Sequence, residues 1–221
     1  MSNITIKKEE YFQLLADNIL IKDIYVKNNL KNYDLLKKLS RLLAMTNKIL
    51  SAREIHKILN YNKVKVSHIT TIEYLDYIIE SNLVKKVFRF DLKTKNLSTW
   101  KAKYLFSVSD IRKTILNWNI DKHILNENIV YETLIKLWYT KIYTWKNWTF
   151  NFSFILKDNI IHISWFSDKN EVRKEINKLK KIGWNFNKYL IVDSVKDIWI
   201  RPSTYLPIKV LEIEDFIKEI K

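Results

Sequence analysis

Residues 67–90 read SHITTIEYLDYIIESNLVKKVFRF, and this stretch decides the fold of the first half of the chain. Its first part predicts a helix, because apolar side chains at positions 69, 72, 75, 78 and 79 recur at helical spacing after Ser67, a typical N-cap residue. From Val84 a short run of Val, Phe and basic residues predicts a β-strand instead. The chain therefore passes from a helical region into a β region near Ser81 and Asn82.

Two further helices are predicted upstream of this stretch. Leucines at positions 35, 36, 39, 42 and 43 form an apolar stripe along residues 34–45, and Ser51 with Glu54 forms a capping-box pattern that opens the next helix. Downstream, a polar connector over 91–99 precedes a second predicted strand over 102–108. Three helices followed by a basic hairpin is the order of a winged helix-turn-helix, and residues 9–30 add one or two helices before it.

The predicted winged helix supplies candidate residues for nucleic-acid contact, because the N-terminal part of its third helix faces the major groove in this motif. The candidates in and just before that helix are Lys63, Lys65, His68, Thr70, Thr71 and Tyr74. The hairpin would offer basic side chains to phosphates, namely Lys85, Lys86, Arg89, Lys93 and Lys95. The helix also carries Glu73, Asp76 and Glu80, and no Arg or Asn stands where a bidentate base contact is expected, so nonspecific backbone binding is favoured. The alternative is a winged helix used only for protein contacts.

The charge of the chain indicates a polyanionic partner. Lys and Arg number 39 against 24 for Asp and Glu, which gives a formal net charge of +15. A charge of that size attracts nucleic acid or an anionic membrane. The bias towards Lys, Ile and Asn that is typical of an AT-rich genome would also raise the charge without any such partner. DNA, RNA and protein therefore all stay open as partners, with DNA the first candidate.

Composition also excludes several kinds of site and compartment. The chain has no cysteine, which excludes disulfides, thiolate metal sites and thiol nucleophiles. Residues 1–11 are polar and charged, unlike a signal peptide, and no apolar run approaches the roughly 20 residues that span a bilayer. The sequence therefore predicts a cytoplasmic protein without a membrane partner.

The second half predicts an α/β region. Helices are expected over 126–137, 171–182 and 211–220, and strands over 139–145, 149–156, 160–166 and 189–192, with a further short apolar run at 198–200. Mixed strands flanked by helices imply a central sheet covered on at least one face. With a boundary near 109–123, the expected segments are an N-terminal helical segment over 1–30, the winged helix over 31–108 and the α/β domain over 109–221.

Neither a metal site nor a nucleotide site is predicted. The histidines are His56, His68, His123 and His162, and no two of them stand at the spacing of metal ligands. Glu127 follows His123 by one helical turn, but two ligands are too few for a site. No Gly-rich P-loop is present, so this chain is expected to bind no cofactor and to hydrolyse no ATP by itself.

Several stretches carry a resemblance to a known family, and they are NYDLLKKLSRLLA, VSHITTIEYLDYIIESNLVKKVFRFDLKTK, KAKYLFSVSDIRK, NENIVYETLIKLWY and WTFNFSFILKDNIIHISW. In their order and pattern, from about residue 10 onwards, they resemble the C-terminal half of prokaryotic AAA-family ATPases that carry a domain of unknown function after the ATPase. The resemblance implies a winged helix followed by a nuclease-like α/β domain of the PD-(D/E)XK, or restriction-endonuclease, type. It also implies an ATPase module before residue 1, so the chain would be a stand-alone remnant, a gene fragment or one part of a split protein.

The resemblance allows the nuclease residues to be placed one by one. The family's helix acid falls on Glu127, its strand Asp on Asn151, and its Glu-x-Lys on His162 and Ser164. Because the acids hold a divalent metal and the Lys stabilises charge at the phosphate, one acid out of three predicts a degenerate site and no enzyme. The alternative for Glu127 alone, which we favour, is a solvated helix carboxylate.

Two functions follow as expectations. The first is a non-catalytic nucleic-acid-binding module that binds DNA nonspecifically through the winged helix. The alternative is a protein-interaction module, or the C-terminal fragment of an AAA-family ATPase whose ATPase module is supplied by another chain.

The glycine count is abnormal, since the chain has one glycine, Gly183, and eight tryptophans. Trp138 follows a predicted helix at the position where glycine relieves left-handed strain, and Trp148 follows Asn147 where a hairpin asks for Asn-Gly. Trp118 and Trp184 also lie in turn-like stretches, whereas Trp145 fits a strand. The hypothesis is that some of these codons are UGA, which the source organism reads as glycine. The alternative is that AT-rich drift removed the glycines and the tryptophans are genuine.

Overall fold

The fold is that of a computed structural model, which describes residues 7–92, 94–146, 151–157, 159–163, 169–182, 186–195 and 208–220, without the side chains of Lys146 and Asn151. The chain divides into two compact units. The first, which we call the helical unit, consists of Met1–Val87 and Trp100–Asn128. The second, which we call the sheet unit, consists of Phe88–Thr99 and Ile129–Lys221.

The helical unit contains most of the helices. They are α1 (Lys8–Asn18), a π-helical segment (Ile19–Val26), α2 (Tyr33–Ala44), α3 (Ala52–Tyr61), α4 (His68–Glu80), α5 (Ser109–Ile115) and the first half of α6 (Lys122–Lys136). Their core includes Leu36, Leu39, Leu43, Ile55 and Ile78, none of which is exposed. The apolar stripe predicted along α2 therefore faces the interior, because burying it is the main source of stability for an amphipathic helix.

The strands are β1 (Val84–Asp91), β2 (Asn96–Phe106), β3 (Tyr143–Lys146), β4 (Asn151–Ile155), β5 (Asn159–Ile163), β6 (Asn187–Val192) and β7 (Ile208–Glu212). They form a mixed sheet of seven described strands in the order β2-β1-β3-β4-β5-β6-β7. Strands β3, β4 and β5 pair antiparallel, and β5, β6 and β7 pair parallel. Helices α7 (Lys169–Lys180) and α8 (Ile213–Glu219) complete the sheet unit. The α/β class is thereby confirmed, and no helix in the described ranges has the length and apolar character that crossing a membrane requires.

The predicted starts of α3 and α4 are confirmed in atomic detail. The Glu54 carboxylate accepts a hydrogen bond from the Ser51 backbone N–H at 2.7 Å, and the Glu54 backbone N–H donates to Ser51 Oγ at 3.2 Å, which is a complete capping box. Ser67 Oγ accepts from the Thr70 backbone N–H at 3.0 Å. These contacts join residues only three apart, which is why the sequence alone could place the starts of both helices.

Several elements differ from the sequence-based expectations. Strand β2 begins at Asn96, within the predicted connector over 91–99, and helix α6 begins at Lys122 rather than at 126. Residues 208–212 form strand β7 rather than loop and helix, because they pair in parallel with β6. Strand β3 begins at Tyr143 rather than at 139, since the turn that follows the end of α6 at Lys136 takes up Tyr139, whose N–H donates to Leu134 O. The predicted strand at 198–200 and the ends of two others, at 149–150 and 164–166, lie outside the described residues.

The compact units group the expected segments differently. Residues 7–30 belong with the helical unit, where Lys8 Nζ lies 2.9 Å from Asp110 Oδ2 of α5. The tip of the β1–β2 hairpin, Phe88–Thr99, belongs to the sheet unit instead, where Arg89 of β1 stands opposite Thr144 of parallel strand β3. The hairpin is therefore not a free wing.

Helix α6 ends in a left-handed turn at a tryptophan, as the sequence predicted. Trp138 has φ of 63°, its N–H donates to Ile135 O at 3.0 Å, and the Tyr139 N–H donates to Leu134 O at 3.1 Å. This is the Schellman pattern, whose left-handed residue is usually glycine. Trp118, after α5, also has φ of 63°, whereas Trp148 and Trp184 lie outside the described residues. Tryptophan thus occupies positions that favour glycine, and the UGA reading stays a prediction.

Replacing Trp138 by glycine is expected to raise the free energy of unfolding by about 1 kcal/mol. The left-handed region costs an L-residue about 1–2 kcal/mol, and glycine avoids this cost. Glycine also loses more chain entropy on folding, which offsets about 0.5–1 kcal/mol of the gain in stability. Little burial is lost, because Trp138 is 88% exposed. Urea unfolding measures the change.

Trp100→Gly is the matched control, because Trp100 is also exposed but lies in strand β2 without a positive φ. It is expected to destabilise the protein, since glycine weakens a strand. Equal destabilisation by both substitutions would contradict the assignment of strain to Trp138.

Candidate nucleic-acid interface

The surface formed by α3 and the start of α4 carries four exposed cations, which are Arg53, Lys57, Lys63 and Lys65. We call it the α3–α4 face, and its residues are Arg53, His56, Lys57, Asn60, Lys63, Lys65, His68 and Thr70. A surface hollow of about 640 Å³ lies on it, lined by Arg53, His56, Lys57, Asn60 and His68. Residues four apart share one side of a helix, so the burial of Ile55 and Leu59 turns Arg53 and Lys57 outwards.

Hydrogen bonds fix the histidine in the middle of this face. Asn60 Nδ2 lies 3.0 Å from His56 Nε2, and His56 Nδ1 lies 3.3 Å from Thr71 Oγ1, whose hydroxyl donates to Ser67 O at 2.9 Å. These contacts are all satisfied when the neutral imidazole accepts at Nε2 and donates from Nδ1. The ring of His68 meets that of His56 edge-on, with 5.5 Å between the centroids. The polar part of the hollow is therefore preorganised.

No carboxylate within the described ranges pairs with the cations of the α3–α4 face. Within the described ranges, none of Arg53, Lys57, Lys63 and Lys65 forms an ion pair. Glu54 on the same helix is engaged elsewhere. Although burial opposes it, hydrogen bonds from Ser51 and from Lys101 Nζ at 3.0 Å lower the pKa of Glu54 to about 2. The face therefore keeps its positive charge.

Two of the residues predicted to contact nucleic acid are buried instead. Thr71 has no exposed surface, because its hydroxyl is turned back onto Ser67 O. Tyr74 is also buried, and its hydroxyl accepts a hydrogen bond from the Asn32 backbone N–H at 3.1 Å. Both side chains hold the helical unit together and are removed from the candidate interface. His68 is exposed and Thr70 half-buried, so both stay on it.

The hairpin residues are less available to phosphates than the sequence suggested. Lys86 Nζ lies 3.4 Å from Asp76 Oδ1, and Arg89 Nη2 lies 3.6 Å from Asp91 Oδ2 in the sheet unit. Lys85 donates to the side chain of Asn82, whose oxygen carries no charge. Lys95 is exposed, and Lys93 lies outside the described residues.

Sequence reasoning overlooked Arg53 and Lys57, the two cations at the centre of the interface. Both stand on the second helix of the motif, whereas the motif places its nucleic-acid contacts mainly on the third helix. The signal was present, since Arg53 and Lys57 are one helical turn apart and out of phase with the buried Ile55 and Leu59.

The four nuclease-like positions fall in different units. Glu127 belongs to the helical unit, whereas Asn151 and His162 belong to the sheet unit, and Ser164 lies outside the described residues. Glu127 is 1% exposed, and its Oε1 accepts from Lys103 Nζ at 2.5 Å. The interpretation of Glu127 as a solvated helix carboxylate is therefore wrong, because the side chain is half of a buried ion pair.

His162 of β5 forms a hydrogen-bonded cluster with helix α7. Its Nε2 lies 3.1 Å from Glu175 Oε2, and Lys178 Nζ lies 2.6 Å from Glu175 Oε1. Burial would raise the pKa of Glu175, but the hydrogen bonds from His162 and Lys178 lower it to about 2. The ring of His162 also meets Phe152 edge-on. The cluster attaches α7 to the sheet, and the described ranges contain no group of three or more His, Asp or Glu placed to hold a metal ion.

Comparison with known proteins gives no relative. No protein-family model matches the chain, and searches of the curated proteins and of the solved structures found no match. A function must therefore be argued from the geometry of the α3–α4 face.

Proposed function

We propose that this chain is a non-catalytic nucleic-acid-binding module that contacts the phosphate backbone through the α3–α4 face. One observation carries the proposal, namely the four cations of that face that no described carboxylate neutralises. Two of them, Arg53 and Lys57, line a hollow whose polar side chains are already positioned by hydrogen bonds. The net charge of +15 adds a long-range attraction to any polyanion.

The chemistry of the face suits phosphates better than bases. Arg and Lys side chains that contact phosphates release counterions from the nucleic acid. The resulting contribution to the binding free energy does not depend on the base sequence. Arg53 can donate two parallel hydrogen bonds to one phosphate, whereas the lysines act as point charges. Asn60, the amide nearest to a base-reading role, is held by His56. Nonspecific binding of the backbone is therefore the mode that we propose.

Replacing Arg53 and Lys57 together by alanine is expected to weaken binding to duplex DNA and to flatten its salt dependence. Each phosphate contact contributes about 0.9 to the slope of log K against log salt concentration, so the double variant should lose about 1.8. Fluorescence anisotropy with a labelled duplex, repeated over a salt series, measures both quantities.

Lys22→Ala/Lys27→Ala is the matched control, because it removes the same charge from exposed positions of the helical unit away from α3 and α4. It should leave the slope nearly unchanged. If both double variants lose DNA affinity and salt slope equally, the loss reflects net charge alone, and the assignment of binding to this face is overturned. Absence of binding at low salt would overturn the function itself.

A protein-interaction role, with an ATPase from another chain as partner, is the second candidate. Tyr61 at the end of α3 is 89% exposed and Ile69 in the first turn of α4 is 70% exposed, so two large apolar side chains stand beside the cations. If this role is correct, Tyr61→Ser/Ile69→Ser should abolish co-purification of a P-loop ATPase while salt-dependent DNA binding persists. Retention of the ATPase by that variant would count against it.

A further inference from the structure

A second cavity lies in the helical unit, between α1, the π-helical segment, α2 and α5. Its volume is about 270 Å³. Ligand pockets in proteins measure about 300–1,000 Å³, so this one suits a small organic molecule rather than a nucleotide or a peptide. None of its lining residues belongs to the α3–α4 face.

The floor of the cavity combines apolar surface with one unsatisfied hydroxyl. Ala16 and Leu20 are buried and line it together with Ile115. Ser40 also lines it and has no exposed surface, yet its Oγ has no hydrogen-bond partner among the described residues. A buried hydroxyl without a partner costs free energy, which a polar atom of a bound molecule would recover.

The mouth of the cavity is predominantly cationic. Lys37, Lys38 and Arg41 line it from α2, and only Asp17 brings a carboxylate, which accepts from Gln13 Nε2 at 3.0 Å. Lys38 is paired with Asp34, which does not line the cavity, at 2.6 Å. Arg41 Nη1 donates to Ile115 O at 3.3 Å, which places the guanidinium across the mouth from α2 to α5.

Lys37 is held at the mouth by an aromatic ring rather than by an acid. Its Nζ lies 5.2 Å from the ring centroid of Tyr33. Lys37 and Arg41 are one helical turn apart, so both can approach one anionic group.

We propose that this cavity binds a small amphiphilic organic anion of the hydroxyaryl carboxylate type. Its apolar body covers Ala16 and Leu20, its carboxylate meets Lys37 and Arg41 at the mouth, and its hydroxyl bonds Ser40 on the floor. This site is independent of the nucleic-acid interface, because the two surfaces share no residue.

The test uses 6-hydroxy-2-naphthoate as the probe and backbone amide NMR shifts of the full chain as the readout. Saturable shifts confined to α1, the π-helical segment, α2 and α5 are expected. The neutral 6-hydroxy-2-naphthamide should bind roughly tenfold more weakly, because it lacks the charge that Lys37 and Arg41 meet. Lys37→Met and Arg41→Met should weaken the naphthoate, while Lys22→Met should not.

Ser40→Ala supplies the sharpest comparison. It should weaken 6-hydroxy-2-naphthoate roughly five- to tenfold and leave 2-naphthoate, which lacks the hydroxyl, nearly unchanged. If Ser40→Ala fails to fold, the Lys37 and Arg41 variants carry the test. No saturable shift at millimolar probe, equal binding of the anion and the amide, or shifts outside this cavity would overturn the proposal.

Discussion

Replacing Lys103 by methionine is expected to lower the free energy of unfolding by about 3–5 kcal/mol, because it removes the ammonium group that donates to the buried carboxylate of Glu127. Lys103 and Glu127 are both almost fully buried in the helical unit and are joined at 2.5 Å. The second oxygen of Glu127, Oε2, has no hydrogen-bond partner among the described residues, so the carboxylate depends heavily on this contact. Urea unfolding followed by circular dichroism measures the loss.

The double variant Lys103→Met/Glu127→Leu is the control for this expectation. It removes both charges and replaces them by apolar groups of similar size, which is often neutral or stabilising at buried ion pairs. It should therefore be clearly more stable than Lys103→Met alone. A double variant as unstable as the single one would show that packing, and not the unpaired charge, determines the loss.

Replacing Arg112 by methionine is expected to destabilise the helical unit by about 3–4 kcal/mol, because buried hydrogen-bond acceptors lose their donor. Arg112 has no exposed surface. Its Nε donates to Ala44 O at 2.9 Å, its Nη2 to Thr46 O at 2.7 Å and its Nη1 to Asn128 Oδ1 at 3.0 Å. The side chain thus closes the C-terminal end of α2. Burial lowers its pKa to about 10 although the charge of Glu127 opposes the shift.

Two further variants define this effect. Arg112→Lys should recover little stability, because one ammonium group cannot reach three acceptors in different directions. Arg53→Met, at an exposed arginine of α3, should stay within about 0.5 kcal/mol of the parent protein. If Arg112→Met unfolds at the same urea concentration as the parent, the hydrogen bonds at the end of α2 contribute nothing.

The sequence could predict the features that depend on near neighbours in the chain. The starts of α3 and α4 follow from Ser51, Glu54 and Ser67, which make contacts only three residues away. The left-handed turn at Trp138 follows from the end of a predicted helix. The α/β class follows in the same way, from the alternation of short apolar runs with helical ones.

Features that depend on distant partners could not be predicted. Glu127 resembles a solvated helix carboxylate until Lys103, on strand β2, is placed beside it. Tyr74 resembles a base-contacting side chain until the Asn32 backbone is found at its hydroxyl. Strand β7 resembles the beginning of a helix until β6 pairs with it. In each case the decisive contact joins segments far apart in sequence, which periodicity and capping do not report.

The sharing of the β1–β2 hairpin between the two units has a consequence during protein synthesis. Its tip, Phe88–Thr99, leaves the ribosome about 50 residues before β3, whose Thr144 stands opposite Arg89. At about 5–20 residues per second, the outer edge of β1 stays unpaired in the nascent chain for roughly 3–10 s. An unpaired edge invites association with other nascent chains, and lysine side chains discourage it. Lys85 and Lys86 lie in the same strand, so they would place positive charge near this edge and would discourage such association while β3 is still being made.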